Sequence, residues 1–109
     1  MLKNIKIKDD LKKVEKEISK KIPNSKVILF GSYARGEEKE DSDVDLCIIV
    51  PEIEGRRLDM KVELRGIIKE SIETSLDLIL YTHDEFEKYT RLKSTLHYQI
   101  KKDGVLING

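Results

Sequence analysis

Three short, largely apolar runs constrain the fold of this chain most strongly, because stretches with helical spacing surround them. The runs cover residues 27–30, 44–50 and 76–81, and runs of this kind are typical of buried strands. Before the first run, between the second and third, and after the third, apolar residues recur every three or four positions, which predicts helices. Strands that alternate with helices indicate an α/β fold with a small sheet.

The helical stretches carry signals that predict their ends. In chain order, we predict a helix capped by Asp9 or Asp10 and ended by Pro23–Asn24, a helix over about 55–73, and a helix that begins at Thr82, breaks near Thr90 and ends at Gly104 before a short strand at 105–107. The predicted start of the third helix is supported by the sequence Thr-His-Asp-Glu, which has the form of a capping box.

Length and charge limit the function classes that this chain can belong to. Its 109 residues predict one domain spanning 1–109. Basic and acidic residues both number 21, and a net charge of zero argues against extended binding to nucleic acid. Residues 1–26 nevertheless carry nine lysines against four acids, whereas residues 37–54 carry eight acids against one lysine. Two solvated faces or a cation site beside the acidic stretch would both explain this asymmetry.

A single cysteine, Cys47, lies in an apolar run, so we expect a buried thiol and no internal disulfide. No signal peptide is apparent, and the longest fully apolar run, LCIIV, is far too short to cross a membrane. These features predict a reducing cytoplasm as the location. We interpret His83 and His97 as surface or core residues rather than as ligands.

Gly31 and Ser32 follow the first strand at the start of a predicted helical turn. Glycine lets the chain bend sharply and lets a ligand approach the backbone. Free N–H groups at the start of such a turn can bind phosphate oxygens, and the Ser32 hydroxyl can add a donor. An ordinary Gly-Ser turn has the same sequence, so the dipeptide indicates phosphate binding only together with other residues.

Asp43 and Asp45 stand at the head of the second apolar strand. Because they are two residues apart, their side chains are expected on one face, with Cα atoms about 6.5–7 Å apart. Both carboxylates could then bind one or two hard cations. Because aspartate is a poor strand former, the presence of two aspartates at this position needs an explanation. A cation site would explain it, and so would a solvated strand entrance.

Asp77 interrupts the third apolar run near its beginning, where Asp43 and Asp45 stand in theirs. Its apolar neighbours predict that Asp77 is buried. Because a lone buried carboxylate is costly, we expect Asp77 either to be neutral or to have a partner. The helix between the second and third strands suits a parallel crossover, which would bring all three aspartates to one edge of the sheet. Gly31 reaches that edge only if its strand runs antiparallel to the other two, so we predict a mixed sheet.

Three carboxylates beside a phosphate-binding turn suggest phosphoryl-transfer chemistry with two Mg²⁺ ions. Mg²⁺ is usually held by few carboxylates together with substrate phosphates and water. One ion would activate the attacking hydroxyl, and the other would neutralise the triphosphate and the leaving pyrophosphate. Asp77 could also accept the proton of the hydroxyl if it lies within hydrogen-bond reach.

The sequence GSYARGEEKEDSDVDL, which begins at Gly31, resembles the GSxARG…SDxDL signature of minimal nucleotidyltransferases in the DNA polymerase β superfamily. The sequence LDLIL, which begins at Leu76, resembles the strand that carries their third acid. The motifs cover about 27–81, and the length is similar to that of the antitoxins in HEPN–MNT toxin–antitoxin pairs. The resemblance implies a polymerase-β-type α/β fold, with a small mixed sheet flanked by helices.

The same resemblance implies a function: Mg²⁺-dependent transfer of AMP from ATP to a tyrosine hydroxyl of a HEPN ribonuclease toxin. It assigns nucleotide binding to Gly31, Ser32 and Arg35, and catalysis and metal binding to Asp43, Asp45 and Asp77. Arg35 would either reach a phosphate or brace the acidic loop.

Two other functions stay open at this point. One is an antitoxin that neutralises its toxin by binding alone. The other is a nucleotidyltransferase that acts on a small hydroxylated molecule such as an aminoglycoside, with an acceptor pocket at a dimer interface. A homo-oligomer or a hetero-oligomer is compatible with the sequence, which fixes neither the acceptor nor the base of the nucleotide.

Overall fold

The framework of the protein is a four-stranded sheet, seen in a computed structural model that describes residues 2–92 and 96–107. In chain order the elements are α1 (Ile5–Lys21), β1 (Lys26–Phe30), α2 (Gly31–Arg35), β2 (Val44–Val50), α3 (Arg57–Lys69), β3 (Leu76–Thr82), α4 (His83–Thr90), α5 (Leu96–Asp103) and β4 (Val105–Ile107). The strands lie across the sheet in the order β3-β2-β1-β4.

The directions of the strands bring three chain segments to one end of the sheet. β2 and β3 run parallel, whereas β1 is antiparallel to both of its neighbours, β2 and β4. The predicted mixed sheet and α/β fold are therefore confirmed. Because β1 ends where β2 and β3 begin, Phe30 lies opposite Asp45, and Asp45 lies opposite Asp77. We call the end of the sheet formed by these three residues the acidic end.

One face of the sheet carries the main hydrophobic core and is covered by α1 and α3. Side chains alternate between the two faces of a strand, and the buried side chains that point to this face are apolar. They include Leu29, Leu46, Ile48 and Leu78. The predicted apolar stripe of α1 is confirmed, because its buried residues recur at intervals of three or four: Ile7, Leu11, Val14 and Ile18.

The opposite face is only partly apolar and is covered by α4 and α5. Among the described residues, the buried apolar cluster on this face consists of Cys47 and Ile49 of β2 and Ile100 of α5. The buried thiol predicted at Cys47 is confirmed, and burial raises the pKa of Cys47 to about 12. Asp45 lies two residues before Cys47, so its side chain belongs to this second face.

The predicted start of the first helix was wrong. Neither Asp9 nor Asp10 caps α1; the cap is Asn4, whose side-chain Oδ1 accepts a hydrogen bond from the backbone N–H of Ile7 at 3.0 Å. The helix begins earlier because Ile7 adds a further buried residue to its apolar stripe. An asparagine cap satisfies a free N–H group as well as an aspartate does.

The later helices follow the predicted signals with shorter bounds. α3 ends at Lys69, so the buried Ile72 lies in the turn after the helix rather than within it. The predicted capping box is confirmed, because Thr82 and Glu85 exchange side-chain and backbone hydrogen bonds at the start of α4. α4 ends at Thr90, where a break was predicted. Over the described ranges, no helix is both long enough and apolar enough to span a membrane.

Candidate active site

The register of the parallel strands places Asp45 directly beside Asp77. These two residues are Cα partners in the β2–β3 pair, and Asp43 lies just before β2. Asp45 is half-buried, whereas Asp43 and Asp77 are exposed. The three aspartates therefore meet at the acidic end, as the sequence predicted. The expected burial of Asp77 was wrong, because Asp77 lies at the open start of an edge strand.

Gly31 touches the carboxylate of Asp45. Its φ is 74°, a left-handed conformation that L-residues with side chains rarely adopt. A Cβ atom added at Gly31 would overlap Oδ2 of Asp45 and would lie 2.9 Å from its Cγ. The site therefore needs glycine for two independent reasons, its backbone conformation and the space that Asp45 occupies.

Ser32 is held at the acidic end by the short helix α2. Tyr33 and Ala34 bury their side chains and anchor the helix to the sheet. Gly36 ends the helix in a left-handed conformation, and its N–H donates to the carbonyl oxygens of Ser32 and Tyr33. The sequence analysis gave no role to Gly36, although a glycine directly after a short helical run is the usual signal for such an end.

Arg35 links the helix to the acidic loop that follows it. Its Nε donates a hydrogen bond to Oε1 of Glu37 at 2.7 Å, and both side chains are more than half exposed. This contact corresponds to the bracing alternative in the sequence analysis. The loop is further closed at 2.8 Å by the N–H of Lys39, which donates to the Ser42 hydroxyl.

Another loop residue, Glu38, was not singled out from the sequence. Its Oε1 atom is buried and has no hydrogen-bond partner within the described residues. No sequence signal distinguishes it from its acidic neighbours.

Electrostatic repulsion connects the three aspartates. Burial raises the pKa of Asp45, and the neighbouring carboxylates of Asp77 and Asp43 raise it further. The positive charge of Arg35 opposes this shift but does not outweigh it, so the net effect is a raised pKa of Asp45. Asp43 and Asp77 are therefore close enough to Asp45 to repel its carboxylate, and a bound cation would relieve this repulsion.

The aspartates fit a Mg²⁺ ion that is bound together with the substrate, rather than one that protein side chains alone would hold. In residues 2–92 and 96–107, no group of three or more His, Cys, Asp or Glu side chains is arranged to hold a metal by itself. Mg²⁺ does not need such a cage, because it usually takes one or two carboxylates and completes its shell with phosphate oxygens and water. Asp45 with Asp43 or Asp77 could supply ligands of that kind.

Neither histidine lies at the acidic end. Nε2 of His83 is 3.1 Å from the carbonyl oxygen of Asn24. His97 packs between aromatic rings, with centroid distances of 3.8 Å to Tyr81 and 4.8 Å to Tyr89. Burial lowers the pKa of His97. These contacts agree with the interpretation of both histidines as packing residues.

The model of a known protein family matches almost the whole chain. The family model described as nucleotidyltransferase domain matches residues 11–106. One similar protein is MJ0126 of Methanocaldococcus jannaschii, named as an inferred protein adenylyltransferase. It is 37% identical over 73 residues, which cover 67% of this chain and 72% of that protein.

Solved structures share the fold. A toxin–antitoxin complex with AMP-PNP has a TM-score of 0.63 and 21% identity, over 94% of this chain and 73% of that one. The complex of a tri-AMPylated Shewanella oneidensis HEPN toxin with its MNT antitoxin has a TM-score of 0.51 and 19% identity, over 92% of this chain and 72% of that one. At such identities the likeness establishes the fold alone.

Proposed function

The chain belongs to the nucleotidyltransferase domain family, and we propose that it is a protein adenylyltransferase that transfers AMP from ATP to a tyrosine hydroxyl of a partner HEPN toxin. The observation that carries this proposal is the register pair of Asp45 and Asp77 beside Gly31. That arrangement gives a family member the acidic residues that its chemistry requires. A protein in which one of them was missing or displaced would instead suggest an inactive relative.

The choice of nucleotide and acceptor is supported by the similar proteins. MJ0126 carries the name of a protein adenylyltransferase, one structural neighbour contains AMP-PNP, and another is a HEPN toxin modified with AMP in complex with an MNT antitoxin. We propose by analogy that ATP is the donor substrate here and that a HEPN toxin supplies the acceptor.

In this proposal each site residue has one task. Gly31 and Ser32 bind the phosphates of ATP, Asp43 and Asp45 bind Mg²⁺, and Asp77 is the third acid. Of two bound Mg²⁺ ions, one would activate the attacking hydroxyl, and the other would neutralise the triphosphate and the leaving pyrophosphate. Arg35 is close enough to Asp45 to oppose the rise in its pKa. We propose that Arg35 also binds a phosphate when ATP is present.

The reaction forms one bond and breaks one bond at phosphorus, and it moves one proton. The acceptor hydroxyl oxygen attacks the α-phosphorus of ATP, and the bond from this phosphorus to the bridging oxygen of pyrophosphate breaks. Asp77 is exposed at the open edge of the sheet, where it can accept the proton that the hydroxyl loses. The products are the AMP-modified protein and pyrophosphate.

The test uses ATP labelled at the α-phosphate, Mg²⁺ and the purified protein encoded by the adjacent gene. We expect labelled partner with the natural protein and a loss of more than about 100-fold with Asp45→Asn/Asp77→Asn. Asp59→Asn is the matched control, because Asp59 is exposed on α3 and lies outside the site.

Each alternative function predicts a different outcome of this experiment. Neutralisation of the partner without label, preserved in the double variant, would identify an antitoxin that works by contact alone. Transfer to a small hydroxylated molecule in the absence of any protein partner would reject the proposed acceptor. Equal labelling by the natural protein and the double variant would reject the proposed site.

A further inference from the structure

A cavity of ≈ 250 Å³ opens on the sheet face that carries Asp45, but at the opposite end, and the proposed reaction does not use it. The antiparallel register places Phe30 opposite Asp45 and Lys26 opposite Ile49. Ile49 lines the cavity and lies four residues from Asp45, which is about 13 Å along a strand. The cavity is therefore separate from the acidic end.

The floor of the cavity is apolar and belongs to the second core. Ile49 and Ile100 line it and are only 4% and 1% exposed. Ile28 of β1 and Phe86 of α4 complete the floor. Leu106 of β4 forms a lip and is 49% exposed. The apolar part of a ligand bound here would cover Leu106 and would pack against the buried side chains of Ile49 and Ile100.

The rim of the cavity carries an excess of positive charge. Lys26 and Lys101 provide two ammonium groups, against the single carboxylate of Glu87. The ion pairs found within the described residues involve neither of these lysines. His83 also lines the rim, and its Nε2–H donates to the carbonyl oxygen of Asn24 because a carbonyl can only accept. The two lysines are thus available to an anion.

We propose that this cavity is a second ligand site, which binds a small organic anion through an apolar floor and a lysine rim. Its volume lies between that of a cavity that holds benzene, about 150 Å³, and the range of roughly 300–1,000 Å³ for drug-sized ligands. The fitting ligand has one or two rings, or an aliphatic body of similar size, and one carboxylate, sulfonate or phosphate. The body lies on Ile49 and Ile100, and the anionic group lies between Lys26 and Lys101.

Binding at this site joins elements that are distant in the chain. The lining comes from β1, β2, α4, α5 and β4, and this arrangement exists only in the folded protein. A ligand that binds only the folded state raises the melting temperature in proportion to the logarithm of its concentration. The site therefore gives a small anion a means of stabilising the packing of α4 and α5 on the sheet.

The probe for this proposal is 8-anilinonaphthalene-1-sulfonate, an aromatic sulfonate whose fluorescence rises in apolar surroundings. We expect saturable binding with one molecule per chain at neutral pH. Lys26→Met/Lys101→Met should weaken binding about tenfold or more, which is about 1.4 kcal/mol, because it removes both charge-assisted contacts to the sulfonate. The matched control, Lys13→Met/Lys16→Met, removes two exposed lysines of α1 and should leave affinity within about twofold.

Two further variants separate the cavity from other binding surfaces. Leu106→Trp narrows the entrance from an exposed edge position and should also weaken binding. Asp45→Asn/Asp77→Asn should abolish transfer but leave probe binding unchanged, so that failure of the proposed function and failure of this proposal are distinguishable. Circular dichroism must show native folding in every variant, because the probe also binds partly unfolded protein.

Three results would overturn the proposal. Equal affinity of the Lys26/Lys101 double variant and its control would remove the role of the rim. Unchanged binding by folded Leu106→Trp would place the probe elsewhere. Displacement of the probe by ATP in proportion to ATP binding would make the cavity part of the nucleotide site rather than a second site.

Discussion

The two faces of β2 have different tasks, although they belong to the same seven residues. On the face covered by α1 and α3, Val44, Leu46, Ile48 and Val50 are all 0% exposed. On the other face, Cys47 and Ile49 are buried but Asp45 is only half-buried. One face therefore contributes chiefly to stability. The other keeps a carboxylate at the end of the sheet, where water, a cation and a substrate can reach it.

The core face should show the largest effect on stability. Ile48→Ala removes a fully buried side chain from the central strand and leaves a cavity, so we expect a loss of about 2–5 kcal/mol in the free energy of unfolding. Urea unfolding followed by circular dichroism measures this loss. A change below about 1 kcal/mol would show that the core can collapse around the gap and that the two faces differ less than their burial indicates.

At the acidic end, Gly31→Ala should reduce stability and activity together. The substitution forces a side chain into a left-handed backbone position and against the carboxylate of Asp45, at a cost of about 1–3 kcal/mol. Because Asp45 is displaced, labelled transfer should also fall by at least about tenfold. Normal transfer by a folded Gly31→Ala protein would contradict the close contact between these residues.

Asp45→Asn should separate stability from activity. A raised pKa means that the folded state binds the Asp45 proton more tightly than the unfolded state does. The natural protein therefore loses stability as pH rises from the ordinary carboxyl pKa, about 3.9, through the raised value. Without metal, the asparagine variant should match the natural protein near pH 3 and exceed it at neutral pH by at most about 1 kcal/mol, since solvent screens a half-exposed group.

Melting temperatures of both proteins between pH 3 and pH 7, measured with EDTA, test this prediction. Transfer activity should be lost even though stability is kept or increased. A stability difference that shrinks as pH rises would have the wrong sign and would contradict the repulsion among the three aspartates.

The smallest effect on stability is expected from a substitution at the start of α4, far from the acidic end. Burial disfavours the charge of Glu85, but hydrogen bonds from the backbone of Thr82 and from Arg57 outweigh it and lower the pKa of Glu85. Glu85→Gln keeps an acceptor for the capping box but loses the charge that pairs with Arg57, so we expect a loss of about 0.3–0.5 kcal/mol at pH 7.

The pH dependence of this variant checks the cause of its effect. A lowered carboxyl pKa contributes stability that is present at neutral pH and is lost as pH falls through the folded-state value. The difference between Glu85→Gln and the natural protein should therefore disappear in acid, and transfer activity should not change. A large loss of activity would show that this end of the sheet is coupled to the acidic end.

The sequence predicted the topology of the site better than its environment. The positions of Asp45 and Asp77 within their strands, together with the helix between them, required a mixed sheet with one acidic end. Burial could not be predicted in the same way, because no pattern in LDLIL shows that β3 is an edge strand and leaves Asp77 exposed. The cap of α1 was misplaced because Asn4 and Asp9 have similar capping propensities, and the buried Ile7 decided between them.

The central claim is that Asp45, its register partner Asp77, and Gly31 form the site where Mg²⁺ and ATP bind. A crystal structure of the protein with Mg²⁺ and AMP-PNP tests it most directly. We predict an ion about 2.0–2.1 Å from a carboxylate oxygen of Asp45, with nucleotide phosphates against the backbone of Gly31 and Ser32. A nucleotide bound away from the acidic end, with no ion at Asp45, would contradict the account.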